Sequence, residues 1–301
     1  MAMFCACLAL PLGGCGSSAS SGGGNPGTSN CDFTMKGAQQ SCSLGARTSS
    51  LYLPPATCSG ALPIVIYLHG APGDISEGSN NGWPATAAKD CFIEVNAKGS
   101  TLSSGVESWH IYNDTSGYSN SPPDDVAQLK SVVAEIENGT SVDAKAVFVV
   151  GFSAGGFMAS RVAAEAGDVF AATFPWAATL YMQDAGGSTG LPASVVTATN
   201  IEEMNGTADS TIPICGLTNS SVTVSSVDTA LDWWMSVLGC ATSTPATNVC
   251  VAGQPVLSAK TLSGCNNGIT VNWTSVPGAG HGWPSGLNDT VWSYFNAHRK
   301  P

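Results

Sequence analysis

Charged residues are scarce in this sequence, and basic ones are the scarcer kind. Charged side chains make up 10% of the 301 residues, with 10 Lys and Arg against 21 Asp and Glu, and the formal net charge is −11. The acidic residues are scattered and form no runs. This distribution argues against nucleic acid and against electrostatic attachment to anionic lipid, and it favours neutral or small substrates.

Metal-binding patterns are scarce as well. The chain has four histidines and no two cysteines in CxxC spacing, which argues against a zinc site. We therefore expect no metal and no cofactor. The sequence contains no internal repeats and no convincing internal domain boundary, so residues 31–301 are predicted to form a single domain.

The N-terminal region has the pattern of an export segment. Residues 1–15, MAMFCACLALPLGGC, are apolar, too short to span a bilayer, and end in small residues. LGGC at 12–15 resembles the bacterial lipobox, which predicts a lipid on Cys15. Residues 16–30 are rich in Gly and Ser and predict a flexible tether. A secreted or envelope-anchored protein is expected, and a buried N-terminal helix or strand is the alternative.

The chain contains 11 cysteines, of which eight lie beyond Cys15. An even number of cysteines in the body of an exported chain predicts four disulfides. Eight cysteines allow many connectivities, so the sequence leaves the pairing open. Proximity along the chain favours the pairs Cys31–Cys42, Cys58–Cys91, Cys215–Cys250 and Cys240–Cys265.

Apolar runs and helical periodicity alternate along the chain. Residues 63–68 and 146–150 are continuous apolar runs, as in strands buried on both faces, and residues 269–276 alternate as a half-buried strand does. Helices are predicted at 122–139, 154–166, 226–239 and near His298. This order predicts an α/β fold with a mostly parallel sheet covered by helices on both faces.

Residues 151–155, GFSAG, follow a buried strand and open a helix rich in Ala, Phe and Met. In that context G-x-S-x-G predicts a nucleophile elbow, a sharp turn that exposes the serine hydroxyl above the sheet. A second match, GGSTG at 186–190, lies among small polar residues and lacks the context. Ser153 is therefore the candidate nucleophile, and close strand-helix packing without chemistry is the alternative.

A serine nucleophile needs a histidine to take its proton and a carboxylate to orient that histidine. In the order Ser, acid, His, only His281 and His298 follow Ser153. His281 lies in a glycine-rich loop directly after the strand 269–276, and we prefer it over a reading as a solvent-exposed loop residue. Asp209, in a turn of small residues, is the preferred acid, with a simple Asx-turn as its alternative. Other acids between serine and histidine include Asp168, Asp184, Glu202, Glu203, Asp228 and Asp232.

Acyl transfer also requires two backbone donors for the tetrahedral oxygen. One candidate is the amide of Ala154, directly after the serine. The other is the amide of Ala71 in LHGAPGD, residues 68–74, a loop that follows a strand. An ordinary turn is the alternative interpretation of that loop.

These segments resemble the secreted polyhydroxybutyrate depolymerase and feruloyl esterase group of α/β-hydrolases, which includes lipoproteins. The similarity runs through YLHGAPGD, PDDVAQLKSVV, VFVVGFSAGGFMASRVAAEAGDVFAA, NGTADSTIP and GAGHGWP. The resemblance implies an α/β-hydrolase fold with Ser153 as nucleophile, His281 as general base and Asp209 as its orienting acid.

The same resemblance implies an ester substrate: feruloyl or acetyl esters of plant polysaccharides, or polyhydroxyalkanoate-type polyesters. Aromatic side chains suit any of these. Trp283, two residues after His281, is the main candidate for a wall of the cleft, and the weaker candidates are Trp83, Trp109, His110 and Trp176. Two other functions stay open, a non-catalytic glycan- or polymer-binding lipoprotein on a hydrolase scaffold and a serine peptidase. We expect a monomer.

Overall fold

A computed structural model describes residues 29–111, 123–180, 182–184, 195–219 and 222–301. The strands of these residues, numbered in chain order, are β1 Gln39–Leu44, β2 Arg47–Tyr52, β3 Leu62–Leu68, β4 Ile93–Ala97, β5 Ser100–Thr101, β6 Glu107–Ser108, β7 Val142–Phe152, β8 Ala172–Trp176, β9 Met182–Asp184, β10 Asn200–Gly206, β11 Leu217–Thr218, β12 Val222–Val224, β13 Thr242–Thr244, β14 Cys250–Val251, β15 Gln254–Pro255, β16 Ala259–Ser263 and β17 Val271–Val276. The helices are α1 Glu77–Asn80, α2 Trp83–Asp90, α3 Asp125–Gly139, α4 Ala154–Glu165, α5 Val227–Leu238 and α6 Leu287–Ala297, with a 3₁₀ turn at Asn266–Gly268.

Ten of the strands form one sheet, in the order β1-β2-β4-β3-β7-β8-β10-β17-β16-β13. The central strands from β4 to β17 are parallel to one another. Antiparallel strands extend the sheet at both edges, β1 and β2 at one and β16 and β13 at the other. The predicted mostly parallel sheet is confirmed, and its arrangement is that of an α/β-hydrolase.

Helices cover both faces of the sheet. Successive residues of a strand point to opposite faces, and in β3 the residues Ile64 and Ile66 belong to the apolar cluster that includes α3 and α4. Val65 and Tyr67 belong to the cluster on the other face, with α2 and α6. Helix α5 packs with α4 against β10 and β17. Because both faces are buried, β3 and the second half of β7 are almost entirely apolar, whereas β4 and β10 also bury polar side chains, among them Glu94 and Glu203.

The predicted helices are confirmed with small shifts at their ends, and their caps explain the shifts. Helix α3 begins at Asp125 because the side chain of Asp124 accepts the Ala127 amide at 2.9 Å. Ser226 caps α5 in the same way through the Thr229 amide at 3.1 Å. Strand β7 is longer than its apolar run, because it begins at Val142, which pairs with Leu62 at the start of β3.

All four disulfides predicted from proximity along the chain are confirmed. They are Cys31–Cys42, Cys58–Cys91, Cys215–Cys250 and Cys240–Cys265. Cys215 lies before α5 and is bonded to Cys250 in the small β14-β15 sheet, and Cys240 lies directly after α5 and is bonded to Cys265 at the end of β16. These two disulfides therefore tie this end of the domain together where the sheet becomes antiparallel.

The predicted export signal at 1–15, with Cys15, and nearly all of the tether at 16–30 lie outside the described residues. Within the described ranges, every helix is too short or too polar to cross a bilayer.

Candidate active site

The GFSAG segment forms a sharp turn between β7 and α4. Ser153 has φ +53° and ψ −117°, a backbone conformation that L-residues seldom adopt and that marks local strain. Both glycines are required by close backbone contacts. A Cβ on Gly151 would lie 2.0 Å from the Gly155 carbonyl oxygen, and one on Gly155 would lie 2.1 Å from the Leu68 carbonyl oxygen. The Ser153 amide donates to the Trp176 carbonyl at 3.0 Å, which fixes the turn against β8.

His281 connects Ser153 to Asp209. Its Nε2 lies 3.0 Å from Ser153 Oγ, and its Nδ1 lies 2.8 Å from Asp209 Oδ2. Asp209 follows β10 and His281 follows β17, and both strands run parallel to β7 within the sheet. Because loops at the carboxyl ends of parallel strands share one edge of the sheet, the three residues meet there. The structure thus brings together the three side chains on which the sequence argument depends.

Asp209 is held in place by the backbone of its own turn. Its Oδ1 accepts the Thr211 amide at 2.8 Å and the Ile212 amide at 2.9 Å. Burial acts to raise the pKa of Asp209, but hydrogen bonds from His281 and from the two amides lower that pKa overall. An ionised Asp209 places the proton of His281 on Nδ1 and leaves Nε2 free to accept the hydroxyl proton of Ser153. The arrangement can therefore act as a general base on the serine.

The loop after β3 lies directly beside the elbow. A Cβ on Gly70 would lie 3.6 Å from Ser153 Cβ. On the other side of the serine, Ala154 is the first residue of α4, where backbone amides have no acceptor within the helix. Ser153 therefore lies between the loop of Ala71 and the N-terminus of α4. A helix N-terminus stabilises a developing negative charge. The donor roles of Ala71 and Ala154 stay predictions.

Trp283 stands beside His281 on the same loop. A cavity of about 320 Å³ is lined by residues 279–284, among them both of these side chains. The indole N–H of Trp283 donates to Asn288 Oδ1 at 2.7 Å, and its ring packs edge-on against Tyr67 with 5.4 Å between centroids. The orientation of the Trp283 ring is therefore fixed at the mouth of the site. The described part of the chain has no group of three or more His, Cys, Asp or Glu side chains that could hold a metal ion.

The comparison with protein families assigns the chain. Residues 47–201, just over half of the chain, match the family described as esterase PHB depolymerase. The chain belongs to the esterase PHB depolymerase family. The matched range contains the loop of Ala71, the elbow of Ser153 and the start of β10, while Asp209 and His281 follow it in the chain.

Relatives of this family member include named esterases. NocK, a provisionally named esterase of Nocardia uniformis subsp. tsuyamanensis, is 27% identical over 233 residues, which cover 74% of this chain and 66% of NocK. Feruloyl esterase B of Piromyces equi is 26% identical over 227 residues, which cover 73% of this chain and 40% of that protein. The match thus spans about two thirds of one relative and two fifths of the other. The structure of acetyl xylan esterase from Aspergillus awamori aligns with a TM-score of 0.54 at 15% identity, over 86% of this chain and 99% of its own, which shows a shared fold.

Three tryptophans predicted as substrate contacts belong to the interior of this esterase PHB depolymerase family member. Trp176 is fully buried and donates to the Gly282 carbonyl at 2.8 Å, so it supports the loop of His281 from below. Trp109 is 2% exposed and donates to the His69 carbonyl at 2.9 Å, beneath the loop of Ala71. Trp83 is also fully buried. The structure therefore buries these three rings instead of exposing them in a cleft wall, and the sequence gives no sign of this because it does not show which face of a strand or helix a ring occupies.

His110 also lies in a structural setting. Its ring Nδ1 is 3.0 Å from the Pro123 carbonyl oxygen, and its own carbonyl accepts a hydrogen bond from Arg161 at 2.6 Å. Its amide donates to the buried carboxylate of Asp125 at 2.6 Å. These contacts join the residue to the start of α3, and the described walls of the His281 cavity do not include it.

A polar cluster beside Trp283 was not predicted from the sequence. Asn81 donates to the Tyr67 hydroxyl at 2.9 Å, and Asn288 donates to the Asn81 carbonyl at 3.0 Å. A second cavity, of about 430 Å³, adjoins Trp283 and is lined mainly by amide and hydroxyl side chains, among them Asn80 and Ser285. Isolated polar residues in helix ends give no signal of this kind in a sequence, because α1 and α6 are far apart along the chain.

Proposed function

We propose that the protein is a serine carboxylic ester hydrolase, exported from the cell and acting as a monomer without a cofactor. The observation that carries the proposal is the hydrogen-bonded series Ser153, His281 and Asp209 at a strained elbow. Membership in the esterase PHB depolymerase family supports it, as do the names of the relatives NocK and feruloyl esterase B. The four disulfides support an oxidising compartment outside the cytoplasm, and a lipid on Cys15 would anchor the chain there.

The proposed reaction has two halves, each with one tetrahedral intermediate. Ser153 Oγ attacks the ester carbonyl while His281 Nε2 takes the hydroxyl proton, and Asp209 stabilises the resulting imidazolium. The amides of Ala71 and Ala154 donate to the negative oxygen. The intermediate then expels the alcohol, which receives the proton from His281. Water repeats the sequence on the acyl-enzyme, releasing the carboxylic acid and restoring the serine.

Two ester classes are candidates, and the cavity beside Trp283 favours one of them. Its lining of amide and hydroxyl side chains, with the carboxylate of Asp289, suits the hydroxyl groups of a sugar better than the methylene backbone of a polyester. We therefore place feruloyl or acetyl esters of plant polysaccharides first and polyhydroxyalkanoate-type polyesters second. The names feruloyl esterase B and acetyl xylan esterase belong to similar proteins and agree with this order.

Ser153→Ala tests the proposal. The variant should hydrolyse p-nitrophenyl acetate at least 1,000-fold more slowly than wild type, since the attacking atom is gone, an effect on the order of 10³ or more. Ser131→Ala on α3, whose hydroxyl only donates to the Ala127 carbonyl of its own helix, is the matched control and should retain wild-type activity.

A fluorophosphonate probe separates the enzyme from a non-catalytic binding protein, and a p-nitroanilide substrate separates an esterase from a peptidase. It should label wild type and the Ser131 control but leave Ser153→Ala unlabelled. A binding lipoprotein would show no labelling at Ser153, and a peptidase would cleave a p-nitroanilide in preference to the ester. Comparison of methyl ferulate, acetylated xylan and a polyhydroxybutyrate film would then rank the substrates.

A further inference from the structure

One carboxylate near the elbow is not used by the proposed mechanism, that of Glu77 at the start of α1. Both of its oxygens accept the Gly70 amide, Oε1 at 3.2 Å and Oε2 at 3.1 Å. The Tyr67 hydroxyl donates to Oε1 at 2.8 Å. The carboxylate thus joins the first residues of α1 back to the end of β3 and closes the intervening loop on itself.

The loop, residues 69–74, is packed tightly around this carboxylate. A Cβ on Gly73 would lie 2.7 Å from Glu77 Oε2 and 2.6 Å from the Gly70 carbonyl oxygen. No side chain fits between the loop and Glu77 at that point. The backbone of the loop is therefore in direct contact with the carboxylate, and a change in one moves the other.

The amide and the carbonyl group of Gly70 are both held by hydrogen bonds. Its amide is bound by Glu77, and its carbonyl oxygen lies 2.7 Å from His69 Nδ1. The Nε2 of the same ring accepts the Gly99 amide at 3.0 Å, so Nδ1 carries the proton and donates to Gly70. In a trans peptide the carbonyl and the next amide point in opposite directions. Fixing the Gly70 carbonyl therefore fixes the direction of the Ala71 N–H.

We infer that Glu77 is a positioning residue, whose carboxylate holds the loop 69–74 so that the Ala71 amide points to the tetrahedral oxygen formed on Ser153. The inference rests on the proposed ester hydrolysis. Glu77 itself contacts neither Ser153 nor the reacting ester, and it acts through Gly70. Its effect should appear in the transition state, when the negative oxygen forms, and only weakly in ground-state binding.

The hydrogen bonds continue from Glu77 to the other side of the site. The Tyr67 hydroxyl, which donates to Glu77, accepts a bond from Asn81 at 2.9 Å. Burial, and then the charge of Glu77, raise the pKa of Tyr67 well above its usual value, so the phenol keeps its proton and remains a donor. Through Asn81 and Asn288 the series reaches the indole N–H of Trp283. Helix α1 thus connects the loop of Ala71 to the wall of the cavity that holds His281.

The experiment compares Glu77→Ala and Glu77→Gln in the full chain, with p-nitrophenyl acetate as substrate. Loss of one oxyanion donor lowers kcat by about 10²- to 10³-fold in serine hydrolases, so a donor that is misdirected should cost less. We expect Glu77→Ala to lower kcat about 30-fold with KM within threefold of wild type. Glu77→Gln keeps one acceptor oxygen of the same shape and should recover most of the loss.

Phenylboronic acid supplies a second readout that a merely structural role would not move. It forms a tetrahedral adduct on an active serine, and one boronate oxygen occupies the oxyanion position. Its inhibition constant should rise in Glu77→Ala by about the same factor as kcat falls. Glu137→Ala, which removes an exposed carboxylate of α3, is the control and should change neither value.

The outcomes separate this inference from the proposed function. Wild type without esterase activity would contradict the proposed function itself. An active wild type with kcat and the boronate constant unchanged in Glu77→Ala would overturn the role of Glu77. If Glu77→Ala does not fold, Tyr67→Phe is the milder variant, because it leaves the carboxylate in place and removes only the hydroxyl that donates to Glu77 and accepts from Asn81. It should then lower kcat about threefold at constant KM, and an unchanged kcat would overturn the inference.

Discussion

Asp209→Asn replaces one carboxylate oxygen of the candidate site by an NH₂ group. The new group can only donate in the hydrogen bond to His281, where the oxygen accepted. The amides of Thr211 and Ile212 donate to Oδ1 at 2.8 and 2.9 Å, so the carbonyl oxygen of the new side chain has to remain there. The NH₂ group then faces His281 Nδ1, at the position of the present 2.8 Å contact. Because both groups cannot donate, His281 moves its proton to Nε2.

This tautomer has no lone pair for the Ser153 hydroxyl. The 3.0 Å contact between Nε2 and Oγ remains, but Nε2 becomes the donor and can no longer remove the serine proton. In triads of this kind the wrong tautomer lowers kcat about 10⁴-fold, which corresponds to about 5.5 kcal/mol in the activation barrier. We expect a loss of that size in Asp209→Asn, with KM close to wild type.

Steady-state hydrolysis of p-nitrophenyl acetate at pH 7.5 measures the effect, and thermal unfolding checks the fold. The turn should survive the substitution because the two backbone amides keep their acceptor. Asp232→Asn, on the exposed side of α5, removes the same charge elsewhere and should keep kcat within twofold. If a folded Asp209→Asn protein retained more than a tenth of wild-type kcat, Asp209 would not be the residue that orients His281.

Three further predictions concern stability. Gly151→Ala should cost about 1 to 3 kcal/mol in urea denaturation, because its Cβ would lie 2.0 Å from the Gly155 carbonyl oxygen. Replacing both Cys215 and Cys250 by Ala should cost about 2 to 4 kcal/mol in calorimetry, because the bridge spans 35 residues of the unfolded chain. Burial raises the pKa of Glu94 from 4.5 to about 8, so between these values the folded state holds a proton that the unfolded chain lacks, and stability falls as pH rises. Glu94→Gln should remove this dependence on pH. The free energy of unfolding of the variant, relative to that of wild type, should therefore rise by up to about 5 kcal/mol as the pH is raised to 8, which urea denaturation at a series of pH values measures.

Each of these has an outcome that contradicts it. Wild-type stability in Gly151→Ala would show that the elbow can widen, and an unchanged melting temperature without the disulfide would show that the surrounding contacts suffice. For Glu94→Gln, curves of stability against pH that run parallel to wild type would show that this carboxyl is ionised in the fold. Glu137→Gln, an exposed position of α3, is the control for that series.

Local patterns in the sequence determined the elements and the elbow of this protein. Apolar runs marked β3 and β7 because both faces of these two strands pack into apolar clusters, and the periodicity marked α3 and α5 because only one side of each helix is buried. The role of the glycines around Ser153 could also be predicted from the sequence, because a strand-turn-helix of this kind leaves no room for a Cβ at those positions. Proximity along the chain also sufficed for the disulfides, whose partners lie in neighbouring loops.

The tertiary structure decided which side chains meet. Eight acids lie between Ser153 and His281 in the sequence, and only the order of the strands β7, β8, β10 and β17 shows that the turn of Asp209 reaches the histidine. The same holds for Trp176, which lies under the site because its strand is central, and for Trp283, which stands in the wall because it follows the last parallel strand. Glu77 gave no local signal at all. Its carboxylate acquires meaning only from the Gly70 amide beside it, and that proximity comes from how the chain folds back, which no short window of residues encodes.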